Sequence, residues 1–153
     1  MNEKIKDILQ IDQTQPGVLR LILNDPDNKN ALSDQMMHQL QQCISDASSN
    51  NSVKVIIIAA VGDVFCSGHN LKDITEARAN VDGGKEYFSN LFDLCSSLMQ
   101  MITACSKPVI AEINGVATAA GCQLVASCDL AIASDQSKFA TPGVNIGLFC
   151  STP

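Results

Sequence analysis

Two glycine-bracketed segments hold the groups through which this chain could do chemistry. The first runs Gly62-Asp63-Val64-Phe65-Cys66-Ser67-Gly68-His69-Asn70-Leu71-Lys72, the second Asn114-Gly115-Val116-Ala117-Thr118-Ala119-Ala120-Gly121-Cys122-Gln123-Leu124. Glycine lets main-chain N–H groups approach a ligand where a side chain would crowd it. Two such turns, each offering a free N–H, make a two-donor pocket for a carbonyl oxygen that gains negative charge. Phosphate chemistry does not fit the first loop: it lacks a Gly-Lys-Ser/Thr ending and gives no Gly-x-Gly-x-x-Gly.

Reactive side chains lie alongside. His69 titrates near neutrality when unperturbed. Cys66 and Cys122 offer a thiol nucleophile with His69 as base, against the stronger alternative of small buried cysteines. Glu112 is either a substitute base or a salt-bridged structural residue, and the structural role is preferred. His38 sits on a polar helix face and is expected to be solvated.

Strands must deliver both loops. Val53–Val61 is a short, β-branched apolar run and reads as a buried strand; Pro108–Ile113 is a second. Ile8–Ile11 and Val18–Asn24 flank Gln15-Pro16-Gly17, which predicts a hairpin. Ser33-Asp34 opens a helix, with serine as cap and aspartate at the positive end of the dipole. Met37, Leu40, Ile44 and Ala47 form its apolar face, and Ser48–Ser52 ends it. A long helix is predicted from about Gly84 to Ala104 on the spacing of Phe88, Leu91, Leu94 or Cys95, Leu98, Met101 and Ile102. A short helix from Ala119 to about Ser127 and a strand from Leu130 to Ala133 follow. The alternation predicts an α/β fold with a recurring strand–strand–helix unit. Periodicity alone leaves open whether the strands form a spiral or a doubly wound sheet.

The 153 residues fit one domain, 1–153, with a sizeable core. With 46% apolar and 17% charged residues the chain is of globular type. No apolar run is long enough to cross a bilayer. The net charge of −6, without a Lys/Arg cluster, argues against a nucleic-acid surface. Neither nucleic acid nor membrane is therefore expected as a partner. The seven cysteines are odd in number and contain no Cys-x-x-Cys pair, so neither a disulfide framework nor a zinc ribbon is expected, and no metal site. Met1–Asp7 has no apolar signal core, and its acidic residues argue against a transit peptide. Together with reduced thiols, this predicts a cytoplasmic protein.

The order and spacing of these segments resemble the crotonase, or enoyl-CoA hydratase/isomerase, superfamily across essentially the whole chain. Asn24-Asp25-Pro26 through Asn30-Ala31-Leu32 is similar to the family's early loop. Phe65 through Lys72 is similar to its first oxyanion loop. Lys107-Pro108-Val109-Ile110-Ala111 and Asn114-Gly115 are similar to the next strand and turn. Ala119 through Leu124 resembles the second oxyanion element, Cys128 through Ala133 the strand after it, and Phe139-Ala140-Thr141-Pro142 the last active-site loop. The resemblance implies a spiral of ββα repeats. It also implies that the C-terminal helical part is missing, because the chain stops at Pro153 where family members continue through helices that close the site and build a trimer. A homo-oligomer, trimer or hexamer, is the expectation for a full-length form.

The same resemblance implies site residues. The backbone N–H groups of His69 and Ala120 are the oxyanion donors, and one such donor lowers a barrier by about 3 kcal/mol. Lys29 and Ala31 lie in the early CoA-contacting loop. Ser67, Asn70 and Leu71 border the adenine pocket, and Gly68 and Gly121 complete the substrate-binding set. The family's two glutamates fall on Gln123 and Gly143, which cannot act as general acid or base. Gln123 and Asn145 can at most hold a water. The implied function is binding of an acyl- or enoyl-CoA thioester and polarisation of its carbonyl, with coenzyme A as part of the substrate and no separate cofactor. Turnover through an enolate, acyl-CoA binding or partnership with a homologue without turnover, and an inactive fragment all stay open.

Overall fold

One strand in each of two sheets, followed by a helix, is the unit from which this chain builds its fold. The structure is a computed structural model that describes residues 7–147; the first six residues and 148–153, with Cys150, lie outside the described residues. β1 (Leu9–Asp12) and β2 (Val18–Leu23) pair antiparallel about the Pro16-Gly17 turn, as the hairpin signal predicts. β3 (Val55–Ala60), β5 (Val109–Ile113) and β7 (Leu130–Ala133) extend this sheet in the order β1-β2-β3-β5-β7, parallel from β2 onward.

A second, parallel sheet holds β4 (Val64–Cys66), β6 (Val116–Thr118) and β8 (Lys138–Ala140) in that order. β3, β5 and β7 of the large sheet are thus each followed by one strand of the small sheet and then by a helical segment. After β3 and β4 come α2 (Leu71–Ala77) and α3 (Lys85–Thr103). After β5 and β6 comes α4 (Ala120–Ser127), and after β7 and β8 a 3₁₀ turn, Pro142–Ile146. In the first repeat, β2 leads to α1 (Asp34–Ser49) with only a single parallel bridge, Leu32 to His69, in the small sheet's place. This is a spiral of ββα repeats. A doubly wound sheet would keep all its strands in one layer.

The core lies between α1, α3 and the inward face of the large sheet. Leu19, Leu21 and Leu23 of β2, Ile56 and Ile58 of β3, and Val109 and Ala111 of β5 are buried against Met37, Leu40 and Ile44 of α1 and Leu98 and Ile102 of α3. Ser33 caps α1, its hydroxyl accepting from the Met36 N–H at 3.2 Å, a contact worth about 1 kcal/mol. Two features escape the sequence reading. The small-sheet strands have three residues each, too few to show a period of two. α2 has seven residues and buries only Ala77, so it carries no apolar stripe. Its signal is Asn70, whose side chain accepts from the Lys72 N–H at 3.0 Å.

Candidate active site

Both glycine loops leave the C-terminal ends of small-sheet strands. β4 runs into Ser67-Gly68-His69 and β6 into Ala119-Ala120. Because β4 and β6 are parallel neighbours, the two loops lie side by side. The first loop is pinned by its carbonyls: Ser67 C=O accepts from Thr118 Oγ1 at 3.0 Å, and Gly68 C=O accepts from Leu32 N–H at 2.8 Å. A trans peptide points its N–H opposite to its C=O, so the His69 N–H is turned away from Leu32. At Gly68, φ is +87°, and an added Cβ would stand 3.1 Å from the Ala120 nitrogen. The two donor-bearing backbones therefore meet with no room for a side chain. A Cβ on Gly121 would run into the Cys66 carbonyl, so the second contact between the loops also needs glycine.

Ala119 sets the second donor. It takes φ +50° and ψ −125°, a region that costs alanine about 1–3 kcal/mol. Its N–H donates to Ala140 C=O at 2.9 Å, and its C=O accepts from the N–H groups of Cys122 at 2.9 Å and Gln123 at 3.3 Å. The Ala120 N–H consequently points out of the start of α4. Among the described residues, neither the His69 nor the Ala120 N–H donates to a protein acceptor. Two preoriented, unshared donors on touching backbones can receive one oxygen that becomes an oxyanion.

The positions implied for acid–base work stand close by in the fold but carry no titratable group. Gln123 is half-buried in the first turn of α4. Gly143 lies in the turn after β8, which is joined to the donor end by the Thr118–Ala140 register and the Ala119–Ala140 hydrogen bond. Asn145 is exposed. The thiols are silent. Burial pushes the Cys66 thiol up to about 12, and the Cys122 thiol donates to Ala117 C=O at 3.0 Å and to Ala140 C=O at 3.4 Å. Glu112 is held by Arg20 through two 2.8 Å hydrogen bonds that lower its pKa, leaving it no part at the site. The His69 ring lies edge-on to Phe92 with centroids 6.1 Å apart. Burial lowers its pKa, against a weaker upward pull from the Leu32 carbonyl and Asp34. Its Nδ1 is buried and without a partner.

The early loop is tied to the same place. Asn30, buried, accepts from the Asp25 N–H at 2.7 Å and donates to the carbonyls of Val61 at 2.9 Å and Val64 at 2.7 Å. The Ser67 N–H donates to Lys29 C=O at 3.2 Å. Lys29 and Ala31 are thereby brought to the Ser67–Leu71 loop, Lys29 exposed and Ala31 buried. Leu71 is 74% exposed, and the Asn70 side chain is committed to capping α2. The sequence reading passes over Asn30, whose role depends on carbonyls more than thirty residues away.

It also passes over the acidic helix starts next to the Leu32–His69 bridge. That bridge sets the starts of α1 and α2 together, with Asp34 and Asp73 in their first turns. Tyr87, in the first turn of α3, is half-buried and within electrostatic reach of both. It borders an open surface groove of about 530 Å³ with Asn80, Val81, Asp82, Glu86 and Asn90. The available signal was the Asn70-x-x-Asp73 spacing of a helix cap.

Comparison with known proteins bears on this geometry. The family model "Enoyl-CoA hydratase/isomerase" matches residues 13–152. The enoyl-CoA hydratase domain-containing protein 3, mitochondrial, of Xenopus laevis is 53% identical over 145 residues, which is 95% of this chain and 48% of that protein. The crystal structure of the human enoyl coenzyme A hydratase domain-containing protein 3 superposes with a TM-score of 0.84 at 49% identity, covering 95% of this chain and 55% of that one. An enoyl-CoA hydratase structure from Mycobacterium smegmatis gives 0.86 at 45% identity, with the same coverage. The chain spans about half the length of the relatives it matches. One expectation is overturned. Relatives from frog, zebrafish, mouse and human are named as mitochondrial, which conflicts with a cytoplasmic location. The expectation rested on free thiols and on the composition of Met1–Asp7. Thiols report a reducing environment rather than a particular compartment, and seven residues do not carry an address.

Proposed function

Because the chain belongs to the enoyl-CoA hydratase/isomerase family, we propose that it binds an acyl- or enoyl-CoA thioester and polarises its carbonyl between the His69 and Ala120 N–H groups. The observation that carries this reading is the pair of unshared, preoriented donors on touching backbones. A thioester that loses an α-proton places charge on its oxygen, and donors fixed beforehand stabilise that charge more than the ground-state carbonyl. Coenzyme A enters as part of the substrate, along the edge formed by Lys29, Ala31, Ser67, Asn70 and Leu71, with Gly68 and Gly121 keeping the thioester position clear. The names of the vertebrate relatives support a mitochondrial setting for the whole protein, and a trimer or hexamer is the assembly we propose for it.

A second reading, acyl-CoA binding without hydration, is favoured by Gln123 and Gly143, which cannot move a proton. Missing acid–base groups remove roughly 100- to 10,000-fold of rate each. Thermal unfolding with butyryl-CoA, free CoA and NAD tests the shared premise. Butyryl-CoA is expected to raise the midpoint more than free CoA, since only the thioester reaches the donors, and NAD is expected to do nothing comparable. Equal shifts with all three would remove the thioester site. Hydration of crotonyl-CoA by the unaltered chain would show that proton-transfer groups for that reaction exist elsewhere.

A further inference from the structure

His69 carries one of the two donors on its backbone, yet its side chain has no part in the thioester reading. The residue is half-buried, and Phe92 of α3 stands edge-on to its imidazole with ring centroids 6.1 Å apart. Phe92 is itself 59% exposed, so the two rings form an open aromatic corner on the donor residue. The imidazole Nδ1 is buried there without a partner. Resting on the thioester reading above, we propose that the His69 imidazole selects the acyl part of the ligand by hydrogen-bonding a hydroxyl on the β-carbon of a bound acyl-CoA.

Connectivity carries the proposal. The covalent path from the His69 backbone nitrogen to Nδ1 has as many bonds as the path from a thioester oxygen to an oxygen on its β-carbon. When the first ends are joined by the N–H donor, the second ends are within reach of each other. A substituent on the α-carbon falls short. Nδ1 is closed off in the resting rotamer, but the half-buried residue leaves one ring edge facing out. Rotation about the Cβ–Cγ bond, a broad torsion in histidine, brings Nδ1 to that edge. A buried nitrogen without a partner is a cost the resting fold carries and calls for an explanation. A ligand hydroxyl removes that cost, and a plain acyl chain leaves it in place.

The surroundings favour a hydroxyl over an acid. Burial lowers the imidazole pKa, so at neutral pH the ring is uncharged, with one nitrogen to donate and one to accept. Asp34 acts on the same ring, and a carboxylate on the ligand would meet that negative charge. The competing role for the ring is packing against Phe92. A packing ring draws nothing from its nitrogens, and it treats acyl chains with and without a hydroxyl alike.

Calorimetric titration of the 153-residue chain with free CoA, butyryl-CoA, malonyl-CoA and each enantiomer of 3-hydroxybutyryl-CoA tests the choice. One hydroxylated enantiomer is expected to bind about tenfold or more tighter than butyryl-CoA, and malonyl-CoA no tighter than butyryl-CoA. His69→Leu, which keeps the backbone N–H, should bring the ratio of hydroxylated to plain chain close to one, and His69→Gln, which keeps a polar tip, should restore part of it. If His69→Leu does not fold, nitrogen NMR of the unaltered chain decides: the His69 ring nitrogens are expected to shift with 3-hydroxybutyryl-CoA and not with butyryl-CoA. Equal affinity for hydroxylated and plain chains, a preference that survives in folded His69→Leu, tighter binding of malonyl-CoA, or ring nitrogens that do not respond overturns the proposal. Butyryl-CoA binding tighter than free CoA in those cases leaves the thioester site standing. The lack of any preference for a thioester over free CoA overturns both.

Discussion

Ala119 is where the donor pair is set, and it is the most strained non-glycine residue at the site. At φ +50° and ψ −125°, its Cβ opposes a conformation that glycine would adopt freely. The strain aims the Ala120 N–H outward while the Ala119 carbonyl begins the ladder of α4. Ala119→Gly should therefore stabilise the fold by about 1 kcal/mol, the relieved strain outweighing glycine's greater freedom in the unfolded chain. Urea unfolding checks this, and a loss of stability would mean that Ala119 is not strained. Cys66 shows the opposite kind of local decision. Complete burial keeps its thiol protonated, so a position beside a donor loop becomes a packing position.

At the scale of elements, an ion pair among the described residues crosses the outward face of the large sheet. Arg20 of β2 reaches past β3 to Glu112 of β5 with both guanidinium contacts at 2.8 Å. The hydrogen bonds from Arg20 hold the Glu112 carboxyl below its ordinary 4.5. A group whose pKa is lowered by folding adds stability above its unfolded value, and that stability is lost as pH falls through the folded value. The pair is partly exposed, which limits it to about 1 kcal/mol or less. Glu112→Gln should cost up to that amount at pH 7 and less at pH 3, flattening the fall in urea midpoint between the two. An unchanged slope would show that the pair does not hold β2 to β5.

For the whole molecule, the strands laid down last decide how the surface behaves. Leu130 and Ile132 of β7 are 60% and 63% exposed, and Phe139 of β8 is 51% exposed. Both strands are sheet edges among the described residues, so open backbone groups and apolar side chains coincide. That combination promotes association. The 153-residue chain should self-associate with rising concentration in light scattering after size exclusion, and Ile132→Lys with Phe139→Lys should reduce it. A monodisperse monomer at high concentration would show that these edges are tolerated as they stand.

The sequence by itself determined the elements whose signal is local. Alternating leucines in Val18–Leu23, the caps at Ser33 and the apolar spacing of Leu91, Leu98 and Ile102 name their own strands and helices, with ends correct to a residue or two. The two glycine loops were legible for the same reason, and the order of motifs along the chain identified the family. Tertiary structure alone decided what those loops face. The three-residue strands of the small sheet exist only because partners from other repeats complete their ladders, Val64 with Val116 and Val116 with Lys138. Thr118 holds Ser67, Ala140 holds Ala119, and Gly68 is required because the Ala120 backbone lies against it. The fates of Cys66, Glu112 and His69 were likewise set from outside their own segments. Burial and charge at a side chain are properties of the elements packed around it, and no local spacing records them.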